Sequence, residues 1–221
     1  MFVAAETIGL FPTLIYRSQP LPGGPATLQG LASALAPQLP PPEPQRPRRR
    51  TQPALQEDPA FQPLVAQVVA WAEEVLAQSA QKPQDCLVTA LWGEAAPAAF
   101  GEPMRPAANA HLTFILPLIA PAGLGVRVAD PRPQSQVIVP MVSAPNEFNA
   151  REVTVPLVPG QALLLPGWLP HALQGGVGQG GGGQSGGGPG EMLLLRGQTL
   201  FRAMDRAISP PMWTGMTKPL A

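Results

Sequence analysis

Residues 159–171 read Pro-Gly-Gln-Ala-Leu-Leu-Leu-Pro-Gly-Trp-Leu-Pro-His, a short apolar run walled in by breakers. Residues 162–165 are too few for a helix and have the pattern of a fully buried strand. Pro159-Gly160 supplies a tight turn before the run, Pro166-Gly167 ends it, and Pro170 fixes the backbone just ahead of the imidazole. The stretch predicts a β structure with His171 held at the mouth of whatever the strand lines. The 31 prolines and 23 glycines of the 221-residue chain extend that restriction. Proline breaks helices and central strands, so the prediction is a loop-rich β architecture of short elements.

Ile8 to Tyr16, apolar and β-branched around Pro12, predicts an edge strand entering the domain. Leucines 28, 31 and 35 share one face of a short helix over 27–36. Residues 37–53 hold Pro40-Pro41-Pro42 and the basic side chains Arg46, Arg48, Arg49 and Arg50. Such a composition favours polyproline II, so a disordered or extended insertion is expected. It could serve an SH3-like or WW-like protein partner, or act as a basic import patch.

From Asp58 or Pro59 onward, Phe61, Leu64, Val65, Val68, Val69, Ala72, Val75 and Leu76 recur at three- and four-residue steps. They predict the clearest helix of the chain, covering one face of a sheet, with Trp71 at its margin and an end before Lys82-Pro83. Strand patterns follow at 86–92, 111–116, 125–132, 137–139, 151–157 and 191–201, with an Ala/Pro-rich loop over 93–106. Residues 175–190 are nearly pure glycine with Gln and Ser. They predict a disordered surface loop and not a phosphate loop, because no Lys-Ser/Thr or helix start follows. The expectation is a single domain over 1–221, mainly β with a flanking helix, as a sandwich or barrel such as a jelly roll.

The 14 basic and 14 acidic side chains cancel, which argues against a nucleic-acid or membrane surface as the main purpose. A single cysteine, Cys86, excludes an internal disulfide framework, suits a reducing compartment, and sits in no nucleophile motif. No apolar run reaches membrane-span length, 112–118 being cut by Pro117. The N-terminus lacks the basic flank of a secretory signal and carries Glu6 early. A soluble intracellular protein, cytoplasmic or nuclear, is expected. Nucleophile elbow, zinc-binding cysteine set, Walker loop and dinucleotide fingerprint are all missing from the sequence.

Several segments together resemble the 2-oxoglutarate/Fe(II) oxygenases. Leu10-Phe11-Pro12-Thr13-Leu14-Ile15-Tyr16 is similar to the opening strand of one branch of that superfamily. Asp130-Pro131-Arg132 is similar to its Asp-Pro-Arg turn, and Gly160 to His171 to the strand and Trp-bearing turn that precede its distal iron ligand. Arg196-Gly197-Gln198-Thr199-Leu200-Phe201-Arg202 matches the final strand at its Arg and Phe, but not at Gln198 and Arg202. The resemblance implies a double-stranded β-helix (jelly roll, cupin-like). It also implies Fe(II) and 2-oxoglutarate as cofactors if the protein is active.

What the resemblance implies for the site is uneven. His171 takes the distal ligand's place and His111 is the other candidate metal ligand. Arg196 is the candidate partner for the far carboxylate of 2-oxoglutarate, and Trp168 and Trp92 are candidate pocket walls. The proximal H-x-H-P ligands would fall near 105–108, which hold Arg, Pro, Ala and Ala. Two histidines and a carboxylate are the usual requirement, and no carboxylate ligand is identified. Two readings therefore stand. One is an oxygenase hydroxylating an unknown small-molecule or protein substrate with decarboxylation of 2-oxoglutarate. The other is a pseudoenzyme, a jelly-roll binding or scaffold domain that uses its loops for protein interaction.

Overall fold

The computed structural model describes residues 13–43, 47–79, 81–97, 101–132, 144, 150–175 and 191–202. The expected features at 8–12, 137–139, 176–190 and from 203 onward lie outside the described residues.

Two helices cover one face of the larger sheet. Helix α1, Gly24–Leu35, buries Leu31 and Leu35. Asp58 accepts from the Ala60 N–H and starts a 3-10 turn, Pro59–Phe61, that runs into α2, Gln62–Gln78. Pro63 falls in the first turn of α2, where its missing N–H costs nothing. The buried face is Leu64, Val68, Trp71, Ala72 and Leu76. Trp71, expected at the margin, is 4% exposed because it lies three residues after Val68 and turns with it into the core.

The strands are β1 (Tyr16–Arg17), β2 (Arg49–Arg50), β3 (Asp85–Pro97), β4 (Leu112–Ile119), β5 (Gly125–Ala129), β6 (Glu152–Pro156), β7 (Leu163–Pro166), β8 (His171–Gln174) and β9 (Glu191–Arg202). They form a six-stranded sheet in the order β1-β7-β4-β9-β3-β2 and a three-stranded sheet in the order β6-β5-β8. Every ladder is antiparallel. Bridges at Gly101↔Gln174 and Arg105↔His171 lay the segment before β4 along the free side of β8. The architecture is mainly β with flanking helices, and the described strands close no barrel.

The period-2 alternation of strands assigns side chains to two cores. Leu91, Phe114, Leu116, Leu164 and Leu195 point to the helices. Ile115, Leu163, Leu165, Met192 and Leu194 point to the smaller sheet, where Val126, Val128, Leu169 and Leu173 meet them. With both faces of the large sheet covered, β4 and β7 read as continuous apolar runs and not as alternating ones.

Three expectations change. β3 does not stop at Trp92 but runs to Pro97, pairing residues 93–97 with 195–191 of β9. The Ala/Pro composition points to a loop, yet Pro97 is the strand's last residue and lies beyond the β2 ladder, which ends at Ala95, so it is paired on one side only, as on an edge strand. β4 passes through Pro117, with the register shifting between Pro117 and Ile119. Within 37–53, expected to be a disordered or extended insertion, Arg49–Arg50 form the edge strand β2 against Ala95 and Glu94. What orders them is a pair of buried carboxylates that composition alone does not reveal.

Candidate functional site

The leucine strand and the histidine part company at the corner 167–170. β7 lies in the large sheet, while His171 opens β8 in the small one, so the imidazole begins a new strand instead of closing the old one. The corner is tight. The Gly167 N–H donates to the His111 carbonyl and the Ala107 N–H donates to the Gly167 carbonyl. A Cβ on Gly167 would stand 2.0 Å from the Ala110 carbonyl oxygen. The contact fixes the 105–111 segment against the turn and so places residues 105–108 beside His171.

His171 is 5% exposed and looks into the space between the sheets. There a cavity of about 230 Å³ is lined by Arg48, Arg50, Trp92, Glu94, Glu102, residues 105–108, Thr113, His171, Arg196 and Gln198. The alternation that sends Met192 and Leu194 inward also sends Arg196 and Gln198 inward on β9, and likewise Trp92 and Glu94 on β3.

The polar groups form one network. Arg196 Nη1 donates to Glu102 Oε1 at 2.9 Å and to Glu94 Oε2 at 3.3 Å. Arg48 Nη2 donates to both Glu94 oxygens at 2.8 Å and also to Glu102. The Trp92 indole N–H donates to Glu94 Oε1 at 2.7 Å, and the Leu173 N–H donates to Glu102 Oε2 at 3.1 Å. The Arg50 guanidinium stacks 4.1 Å from the Trp92 ring centroid. Arg196 Nε is buried and has no acceptor among the described residues.

Burial pushes the Glu102 carboxyl up, but the Arg196 and Arg48 guanidiniums and the Leu173 amide outweigh it, and its pKa ends below the ordinary value. Burial pulls the Arg50 pKa down, and Glu94 does not restore it against Arg196 and Arg48. His171 is also lowered, first by burial and then by Arg196 and Arg105, against the bond to Leu169 and the charge of Glu102. The Leu169 carbonyl, 2.8 Å from Nδ1, only accepts, so in the neutral ring Nδ1 carries the proton and Nε2 is the basic nitrogen.

The structure does not bring the two histidines together. His111 stacks on Phe201 at 5.4 Å, and its Nδ1 accepts from the Phe201 N–H at 2.8 Å. It lines a different cavity, about 720 Å³, beside Tyr16, Glu74, Leu76, Trp168 and Phe201. Trp168, 57% exposed, lines that second cavity and not the one at His171, because the corner turns it outward. Trp92 and Arg196 do line the His171 cavity. Glu94, which sequence reasoning missed, lay in a segment assigned to a loop, and Glu102 stood apart from any ligand spacing.

Fe(II) does not fit the residues present. Positions 105–108 line the cavity and supply Arg, Pro, Ala and Ala where the H-x-H-P pattern would supply donors. Both Glu102 oxygens already accept hydrogen bonds, and four guanidiniums line the wall, so a dication there meets like charge. Among the described residues no group of three His, Cys, Asp or Glu side chains could hold a metal ion. Nor is any helix among them long and apolar enough to cross a membrane.

No family model and no curated protein matches the sequence. Solved structures do. The chain is similar to a prolyl-4-hydroxylase from Pseudomonas putida at 13% identity and a TM-score of 0.55, covering 86% of this chain and 94% of that one. It is similar to HygX from Streptomyces hygroscopicus, solved with nickel, 2-oxoglutarate and hygromycin B bound, at 15% identity and a TM-score of 0.55, covering 85% and 82%. An oxidoreductase of the 2OG-Fe(II) oxygenase family from Burkholderia pseudomallei matches at 12% identity and a TM-score of 0.53, covering 84% and 83%. The fold is that of the 2-oxoglutarate/Fe(II) oxygenases, a double-stranded β-helix.

Proposed function

We propose that this chain is a metal-independent binding domain built on the oxygenase fold, a pseudoenzyme whose central cavity holds a ligand without iron chemistry. The observation that carries the reading is the Arg48–Glu102–Arg196–Glu94 network. Arg196, the candidate clamp for the cosubstrate's carboxylate, is already engaged by two carboxylates of its own chain. A fold does not supply ligands, and function follows the site.

The oxygenase reading, hydroxylation coupled to decarboxylation of 2-oxoglutarate, is favoured by one observation. His171 donates Nδ1–H to a backbone carbonyl and leaves Nε2 basic, which is how many metal-binding imidazoles are held. Single-turnover assays with Fe(II), ascorbate and 2-oxoglutarate separate the two. The expected result is no succinate above a protein-free control. Metal-dependent succinate formation, lost in His171→Ala, would overturn the binding-domain reading.

A further inference from the structure

Within the His171 cavity the charges do not cancel. Glu94 and Glu102 are matched by Arg48 and Arg196 in the buried network, and Arg50 and Arg105 remain at the rim. Arg50 has only a 4.0 Å approach to Glu94, and no ion pair to Arg105 occurs among the described residues. Both are exposed side chains facing a partly enclosed space. Guanidiniums bind oxyanions in bidentate fashion, so two such groups at the rim of one small cavity make a receptor for an anion.

His171, bridged to Arg105 on the same wall, sets a second condition. The neutral His171 ring offers an acceptor at Nε2, for which there is no partner among the described residues. A ligand that satisfies both the guanidiniums and this nitrogen carries oxyanion oxygens and an O–H. The cavity, about 230 Å³, is smaller than the pockets of roughly 300–1,000 Å³ that take drug-sized ligands. A monohydrogen phosphate group has the charge, the size and the hydroxyl.

We propose that Arg50 and Arg105, with His171 beside Arg105, form a binding site for a phosphate group that keeps one hydroxyl, either inorganic phosphate or the singly ionised phosphoryl end of a small metabolite. The inference rests on the metal-independent reading above. It is distinct from the cosubstrate clamp, because Arg196 Nη1 is occupied by Glu94 and Glu102.

The test is calorimetric titration of the full chain at pH 7 and constant ionic strength with inorganic phosphate, glycerol phosphate and succinate in separate runs. Saturable binding of phosphate at one site is expected, with the affinity falling by about tenfold or more in Arg50→Gln and in Arg105→Gln. Arg127→Gln, on β5 and paired with Glu152, leaves it unchanged. Tighter binding of glycerol phosphate than of phosphate identifies a phosphoryl metabolite, and the reverse identifies the free ion. Because Arg50 packs on Trp92, circular dichroism accompanies that variant, and the exposed Arg105 carries the test if it misfolds. No phosphate binding, binding unaffected by Arg105→Gln, or preference for succinate overturns the proposal. Iron-dependent turnover would sink the earlier reading instead, so the two failures are distinguishable.

Discussion

Glu102 and Arg196 reach each other from opposite sheets: the carboxylate leaves the segment bridged to β8, the guanidinium leaves β9, and they meet at 2.9 Å. Glu102 is also tied to its own sheet through hydrogen bonds with the Leu173 backbone in both directions. The pair therefore clasps the polar end of the sandwich, as Ile115, Leu163 and Leu194 fill the apolar end.

Glu102→Gln leaves Arg196 and Arg48 sharing Glu94 alone. Breaking a buried pair from one side costs about 3–5 kcal/mol, and the lower end is expected because Glu94 stays in place. Urea denaturation followed by tryptophan fluorescence measures it, and a loss below about 1 kcal/mol, the size of a surface pair, would remove the clasp from the account.

Acid should weaken the same contact. The Glu102 pKa is depressed in the folded state, so its contribution is fully present above the unfolded value of 4.5 and is lost as pH falls through the folded one. Glu102→Gln is expected to flatten the acid limb of the stability profile, and an unchanged slope counts against it.

His171 is expected to be neutral at pH 7 as the Nδ1–H tautomer, since its folded pKa lies below 6.5. The unfolded chain then binds the extra proton first, so the contribution of His171 is whole above pH 6.5 and declines as pH drops toward the folded value. Nitrogen-15 shifts of the ring report both pKa and tautomer. A protonated ring at pH 7 would contradict the assignment.

Much of the architecture was legible because burial writes itself into apolar patterns: an unbroken run at residues 163–165, covered on both faces, and a stripe at three- and four-residue steps on the one buried face of α2. The site was less legible. Glu94 and Glu102 carry no spacing signature, since their partners are Arg48, just before β2, and Arg196 on β9, both distant in sequence. Arg48 and Arg50 sit in a segment whose prolines suggest a solvated linker, and only the buried carboxylates draw them in. The histidines illustrate the opposite trap: both stand beside strands, yet a corner and a register send one to each side of the large sheet.

Gly167→Ala is expected to disrupt the corner that holds residues 105–108 beside His171. A Cβ there cannot clear the Ala110 carbonyl without backbone movement. A cost of about 1–3 kcal/mol is expected from such overpacking. A variant as stable as the parent in thermal denaturation would show that the corner adapts freely.

The most direct test is titration of the full chain with Mn(II), monitored by the electron paramagnetic resonance of the free ion. With arginines lining the cavity and its carboxylates engaged, the free-ion signal should rise in step with added metal, in the parent and in His171→Ala alike. One tightly held Mn(II) per chain, released by that substitution, would contradict the metal-independent site.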